Sequence, residues 1–339
     1  MQPIHTLHDF FVRSGAEVRL YHLGRRVEPC EMATLEALEA EAAPWPMPWQ
    51  GQARLGLVFR LGDMSDPLIW FLALPLDEEG RLDPASRDAF VQRLLETLGH
   101  NVTTVGREDG QAVDNLMKDN PLAFTPSLPF RAMLHARASH DLGRPASSHL
   151  EPVEAYLSGQ QTLDWQALGL QGLADFAVRM GQEEQHQLSR RLPDLPTEVL
   201  TSLCYCLEHV AIADDLTAAL RARGEAAAEV GDIETLCACV RAASGSETAG
   251  DWFDGLLTDT YACGPDLLAA IAARGWSHLE DGQRLPRYLE RLACCEQADF
   301  MRVARDLALI PRLRLPVLMT LREAPADSPI GRRLVALTR

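Results

Sequence analysis

The chain has almost no lysine: of its 32 basic residues, all are Arg except Lys118. A GC-rich genome is the simplest source of that bias, and it leaves each Arg with less functional meaning than usual. Long apolar runs are also missing. The longest, Pro67 to Leu76, covers about half of what a membrane-spanning helix needs. Met1 to Phe11 holds no basic region leading into an apolar core, so no secretory signal is expected and the cytoplasm is the expected compartment. The eight cysteines include no C-x-x-C. They fall as Cys204-Tyr-Cys206, Cys237-Ala-Cys239 and Cys294-Cys295, with Cys30 and Cys263 apart. On a helix, residues two apart point about 200° apart, so a C-x-C cannot clamp one metal from one face. The six clustered cysteines sit in apolar helical patterns and read as small buried hydrophobes in a reducing compartment. G-x-S-x-G, Walker A, G-x-G-x-x-G, H-E-x-x-H and EF-hand patterns are all missing, which removes the commonest readable enzymes. No cofactor and no metal is implied.

What is present is an ordinary globular chain of 339 residues, long enough for two domains. With 47% hydrophobic and 24% charged residues it can bury a core, and intrinsic disorder is excluded. A net charge of −16 repels phosphate backbones and anionic lipid heads. Another protein is therefore the expected partner; nucleic acid and membrane are not. The charge is uneven: residues 296–339 carry eight Arg against five acids, a mildly basic tail on an acidic body.

The first 110 residues read as a small α+β domain. Leu7, Phe10 and Phe11 have helical spacing that stops at Ser14-Gly15. Val18, Leu20 and His22 alternate as a strand. Glu31 to Glu41 is a short acidic helix, and Pro44-Trp-Pro-Met-Pro48 a stiff linker. Leu55, Leu57, Phe59 and Leu61 alternate with period two. Leu68 to Leu74 is apolar throughout and reads as a central strand, which makes residues 53–76 a β-hairpin. Asp83 and Pro84 then start a helix through Phe90, Val91, Leu94 and Leu95 to Leu98. The expected fold class is α+β, with a small, mostly antiparallel sheet and flanking helices.

Residues 111–145 form a connecting segment with a short helical run from Phe130 to His140. Residues 146–339 read as an all-α stack of helices of three to four turns. Ser148-x-x-Glu151 is a capping box and Asp164 a second cap. Breaks are expected at Pro193, Pro196, Gly224, Gly231, Gly264-Pro265, Gly282, Pro311 and Pro325. Asp215 to Gly224 matches Asp266 to Gly275 at seven of ten positions. Leu203-Cys-Tyr-Cys-Leu207 echoes Leu236-Cys-Ala-Cys-Val240. The two offsets, 51 and 33, disagree, so the pattern suits an irregular HEAT-like helical repeat or a helical bundle rather than a strict array.

Candidate functional residues concentrate between the two domains, where clefts often form. Asp114, Asn115, Lys118, Asp119 and Asn120 precede a proline-containing loop, followed by Arg131 and His135. Lys118 stands out because a compact ammonium was kept where Arg is otherwise universal. Trp45 and Trp49 beside three prolines form a candidate partner patch, with packing of this linker on the small domain as the favoured reading. Glu183-x-x-His186 places a carboxylate and an imidazole on one helix face, but a di-iron site needs a second copy, and none exists. His5-x-x-His8-Asp9 reads as surface groups and Asp214-Asp215 as helix capping. His140-Asp141 resembles the paired residues of histidine-aspartate phosphohydrolases, but Gly143 and Pro145 break the helix straight after the pair and nothing fixes the distant Asp. No catalytic residue is identifiable.

Three strings resemble a bacterial family known only as a domain of unknown function of about this length: Thr6-Leu-His-Asp-Phe-Phe11, Leu20-Tyr-His-Leu-Gly-Arg-Arg26, and Asn115-Leu-Met-Lys-Asp-Asn-Pro-Leu-Ala-Phe124. The resemblance implies a cytosolic bacterial protein and brings no reaction. The leading expectation is a protein-binding or scaffold protein with a helical interaction surface. The alternative is an enzyme or small-molecule sensor with a site in the interdomain cleft around residues 114–135.

Overall fold

The computed structural model describes residues 4–62, 64, 66–98, 117–118, 120–159, 164–259 and 263–337. They fall into two compact units, Met1–Phe130 with Leu309–Pro311, and Arg131–Ala308 with Arg312–Arg339. Among them are four strands and sixteen α-helices. Asp114, Asn115 and Asp119 lie outside the described residues.

The first unit is built on an antiparallel sheet. Its strands are β1 (Glu17–His22), β2 (Glu28–Cys30), β3 (Gln52–Arg60) and β4 (Leu68–Pro75), in the order β2-β1-β3-β4. The expected hairpin is β3–β4, in register from Gln52 opposite Pro75 to Phe59 opposite Leu68. Period two puts Leu55, Leu57 and Phe59 on one face with Trp70, Leu72 and Leu74, and all are buried there. The short β2 carried no readable pattern in the sequence.

One expectation needs correcting. The apolar run Leu68–Leu74 is not a central strand; β3 holds that place and β4 ends the sheet. One of its faces is nonetheless buried and the other partly buried, and a later segment pairs with its open edge. The Ala73 amide donates to the Leu122 carbonyl at 2.7 Å, and the Phe124 amide to the Phe71 carbonyl at 3.2 Å. Edge strands present unpaired backbone groups that aggregate unless something covers them.

Helices α1 (Leu7–Ser14), α2 (Met32–Glu39) and α3 (Pro84–Leu98) complete the unit. Thr6 caps α1 by accepting from the Asp9 amide at 3.0 Å, and Asp83 caps α3 through the Ala85 amide at 3.3 Å. Phe10 and Phe11 enter the core, where Phe11 meets Phe59 edge to face with centroids 5.1 Å apart. Buried Glu39 links all three helices. Its oxygens accept from the Leu7 and His8 amides at 2.8 and 2.9 Å, and it lies 3.6 Å from Arg87.

The second unit is helical. It holds α4 (Leu128–Asp141), α5 (Leu150–Leu157), α6 (Leu170–Arg179), α7 (Gln182–Arg191), α8 (Thr197–Leu207), α9 (Asp214–Glu229), α10 (Ile233–Ala243), α11 (Ala249–Thr258) and α12 (Pro265–Arg274). It ends with α13 (Arg284–Cys294), α14 (Phe300–Ala308), α15 (Pro311–Glu323) and α16 (Pro329–Leu337). Neighbours in sequence pair as α5 with α6 and α9 with α10, while α10 also packs on α8 and α12. The capping box expected at Ser148 is not formed. The residue before α5 is His149, and Ser147 instead donates its hydroxyl to buried Asp175 at 2.6 Å.

Gly224 does not break a helix as expected; it lies inside the sixteen-residue α9. The sequence echo explains it. A Cβ at Gly224 would stand 3.2 Å from the Trp252 ring, and one at Gly275 would stand 2.6 Å from the Phe253 ring. The two echoed glycines each let a helix press onto one of two adjacent aromatics of α11. Phe253 is fully buried and has nowhere to move. Gly275→Ala is therefore expected to cost about 2 kcal/mol by overpacking. At Gly224 the milder contact is offset by about 1 kcal/mol of helix propensity, so Gly224→Ala should be close to neutral. Urea denaturation of the two variants checks this; equal effects would show that the Phe253 contact is not the cause.

Candidate functional site

The residues singled out between the domains do not share one role. Lys118 is exposed on a turn. Asn120 is buried, and its amide group is used locally: Oδ1 accepts from the Leu122 amide at 3.0 Å and Nδ2 donates to Met117 Sδ at 3.7 Å. That turn presents Leu122 to Phe124 to the edge of β4. The described half of the third family-like string is thus an edge cover, held further by the Arg54 guanidinium over the Phe124 ring at 5.1 Å. Arg131 and His135 are both exposed, one turn apart on α4, so a single face presents them.

Trp45 follows the packing reading and not that of an exposed aromatic patch. It is fully buried, its amide donates to the Gly80 carbonyl at 2.9 Å, and its ring meets that of His22 at 4.8 Å. Trp49 is half-buried beneath the Arg25 guanidinium, 5.3 Å from its carbon. Arg25 is itself fully buried and donates from Nε to the Pro48 carbonyl at 2.9 Å. An indole gains more by burying its large apolar area than by facing water, and the linker folds back to provide that. The second family-like string, Leu20 to Arg26, supplies His22 and Arg25 to this cluster. Burial pushes the His22 imidazole down to about 4, so it is neutral at physiological pH.

The helical motifs resolve as structural ties. His186 Nδ1 sits 2.7 Å from Asp215 Oδ2, and Ser189 Oγ donates to the His186 carbonyl at 2.8 Å while lying 3.3 Å from the same Asp215 oxygen. The hydroxyl is engaged by a backbone carbonyl and the carboxylate rather than by the imidazole, so these three groups are not arranged as a nucleophilic triad. The His186 hydrogen bond holds the Asp215 carboxyl below its usual range. Asp214 accepts from Thr248 Oγ1 at 3.1 Å. His140 meets Asp141 at 3.4 Å on the surface. Cys204, Cys206, Cys237 and Cys239 are buried, whereas Cys294 is exposed. Burial pushes the Cys237 thiol up to about 11, so it stays protonated at neutral pH. Among the described residues no group of three or more His, Cys, Asp and Glu is placed to hold a metal ion. A cavity of about 420 Å³ is lined by Glu151, Glu154 and Glu184 above Phe176 and Leu188. One of its three carboxylates is already engaged, since Glu184 accepts from the Gly181 amide at 2.9 Å.

Sequence reasoning missed two features. The first is a buried charge cluster. Glu208, at the end of α8, accepts from Arg274 Nε at 2.8 Å on Oε1, with Arg274 Nη2 also 2.8 Å from that oxygen, while Arg241 Nε lies 3.2 Å from Oε2 as an ion pair without a hydrogen bond. Both arginines stand in the last turns of their helices, where a cation also offsets the negative end of the helix dipole. The basic tail is partly used in the same way: Arg333 donates to the Ala293 and Cys295 carbonyls at 2.9 and 2.8 Å, at the end of α13.

The second feature is the outward face of α15. Leu315, Leu318 and Met319 are 67%, 46% and 40% exposed. Their spacing of three and four residues places them on one face. Leu313 and Val317 point the other way and are buried. Arg312 and Arg322 are exposed on the same side of the helix. Leu315 alone needs no explanation; what is unusual is that three large apolar groups stand together at the surface.

The fold and this surface define an α+β protein with a small antiparallel sheet, a largely helical remainder and a helix that shows apolar side chains to solvent. The chain belongs to the family described as protein of unknown function DUF3549, whose model matches residues 2–338. No curated protein and no solved structure matches the chain. Among the described residues no helix is long and apolar enough to cross a membrane.

Proposed function

We propose that this is a cytosolic protein-binding protein, with helix pairs stacked in the manner of HEAT-type arrays and the outward face of α15 as a docking surface. The observation that carries the reading is the grouping of Leu315, Leu318 and Met319 at the surface of one helix. Leaving that much apolar area in water costs free energy that a bound partner would recover. The net charge of −16 favours a protein over nucleic acid or a lipid surface. The alternative, an enzyme or sensor site around residues 114–135, draws no support from Asn120, whose side chain caps its own turn.

The test compares the full chain with Leu315→Glu/Met319→Glu, each tagged, cross-linked inside the cells of the native host so that weak complexes are kept, and then recovered. Both substitutions lie on the exposed side, so the variant should keep its melting temperature. The reading requires a stoichiometric protein, which includes untagged copies of the chain itself, on the wild type and its loss from the variant. Identical recovered sets would overturn it.

A further inference from the structure

We infer that the occupant of the α15 face is a second copy of this chain, packed antiparallel about a two-fold axis. The inference rests on the docking reading above and adds the identity of the partner.

A two-fold interface must be complementary to itself, because the same patch serves both copies. At about 100° per residue, Leu315, Leu318 and Met319 form the centre of the face. Arg312 and Glu323 both fall about 60–80° to the same side of Leu315. They stand at opposite ends of the helix, and both are exposed. Rotation about a two-fold axis perpendicular to the helix reverses its direction and keeps that flank against its own image. Arg312 then lies opposite Glu323 of the second copy, and Glu323 opposite Arg312. Two ion pairs bracket an apolar centre in which Leu315 lies against Met319 of the other copy. Arg322 lies opposite Pro311 of the second copy, so its aliphatic stem adds apolar contact. A parallel copy fits less well, since it would set Arg312 near Arg314 of its neighbour, with no acid of the helix in reach.

Arg312 is available for the exchange. Its present partner is Glu280 at 3.2 Å, and its side chain is 80% exposed. Pairs of that kind hold weakly. The area involved is small, well below the roughly 800 Å² per partner of a standard interface. The dimer is therefore expected to be weak, with a dissociation constant on the order of 10–100 µM.

Sedimentation equilibrium of the full chain across that concentration range tests the inference. The wild type should fit a monomer–dimer equilibrium. Leu315→Glu should weaken it more than tenfold. Arg312→Glu and Glu323→Arg should each weaken it by about tenfold, because each sets like charges face to face. The double variant should return to within about threefold of the wild type, since the pairs reform with reversed sign. Circular dichroism melts confirm that each variant is folded. A wild type that stays monomeric, or a double variant no tighter than its parents, would overturn the second-copy inference. If the chain stays monomeric while Leu315→Glu/Met319→Glu still loses a captured protein, the docking reading stands and its occupant is a different protein.

Discussion

Replacing Glu208 with Ala should lower the stability of the helical unit by about 3–5 kcal/mol, the usual cost of removing one member of a buried ion cluster. Glu208 is 3% exposed and Arg274 8%, so neither can turn to water when its partner goes. Arg274 meets the carboxylate through two nitrogens at 2.8 Å, the short distance of a charge-assisted bond. Arg241 is better placed to adapt: its side chain is 23% exposed and its guanidinium lies over the Tyr205 ring at 4.8 Å. The loss should thus centre on Arg274. Glu208→Leu combined with Arg274→Met removes both charges and should recover more than half of it, because a well-packed apolar pair can replace a buried ion pair. Urea midpoints of the single and double variants decide the matter. A Glu208→Ala variant within about 1 kcal/mol of wild type would mean that the site rehydrates and the cluster contributes little.

Acidification should destabilise the sheet-bearing unit through His22. The folded imidazole, pushed down by burial to about 4, sits below the unfolded value of 6.5. The unfolded chain therefore binds the proton first. The contribution of neutral His22 is fully present above pH 6.5 and is lost as pH falls towards 4. The difference corresponds to about 3 kcal/mol. Glu39 in the same unit acts in the opposite sense: burial raises its carboxyl, so protonating it relieves a cost as pH falls. The comparison must therefore be with His22→Phe, which keeps a ring beside Trp45 and removes only the titration. Between pH 7 and pH 4.5 the wild type should lose markedly more stability than His22→Phe. Parallel pH profiles would show that His22 finds a route to water.

Both effects lie in places with weak sequence signals. Glu208, Arg241 and Arg274 are far apart in the chain and belong to no motif. The readable hint was the echo that repeats Arg-Gly at the ends of Asp215–Gly224 and Asp266–Gly275, and its meaning appears only with α11 between the two helices. The three family-like strings were legible as distinctive, and their roles were not. Thr6–Phe11 caps and fills α1. Leu20–Arg26 delivers the buried His22 and Arg25. The described part of Asn115–Phe124 covers the edge of β4. In each case the described residues of the string hold the sheet-bearing unit together.

The sequence by itself determined the local elements: the β3–β4 hairpin, the capped start of α3, and the succession of short amphipathic helices after residue 146. Those follow from period, capping and turn chemistry, which act over a few residues and need no distant partner. Tertiary structure alone decided what covers each apolar surface. It placed β4 at the edge and β3 at the centre, buried Trp45, and kept Gly224 within α9. It also left the outward face of α15 uncovered, although Leu315, Leu318 and Met319 repeat with the same spacing as a buried stripe. Spacing specifies that a face is apolar. Whether the chain itself, a second copy or water meets that face depends on residues tens of positions away or on another molecule, and no local pattern encodes it.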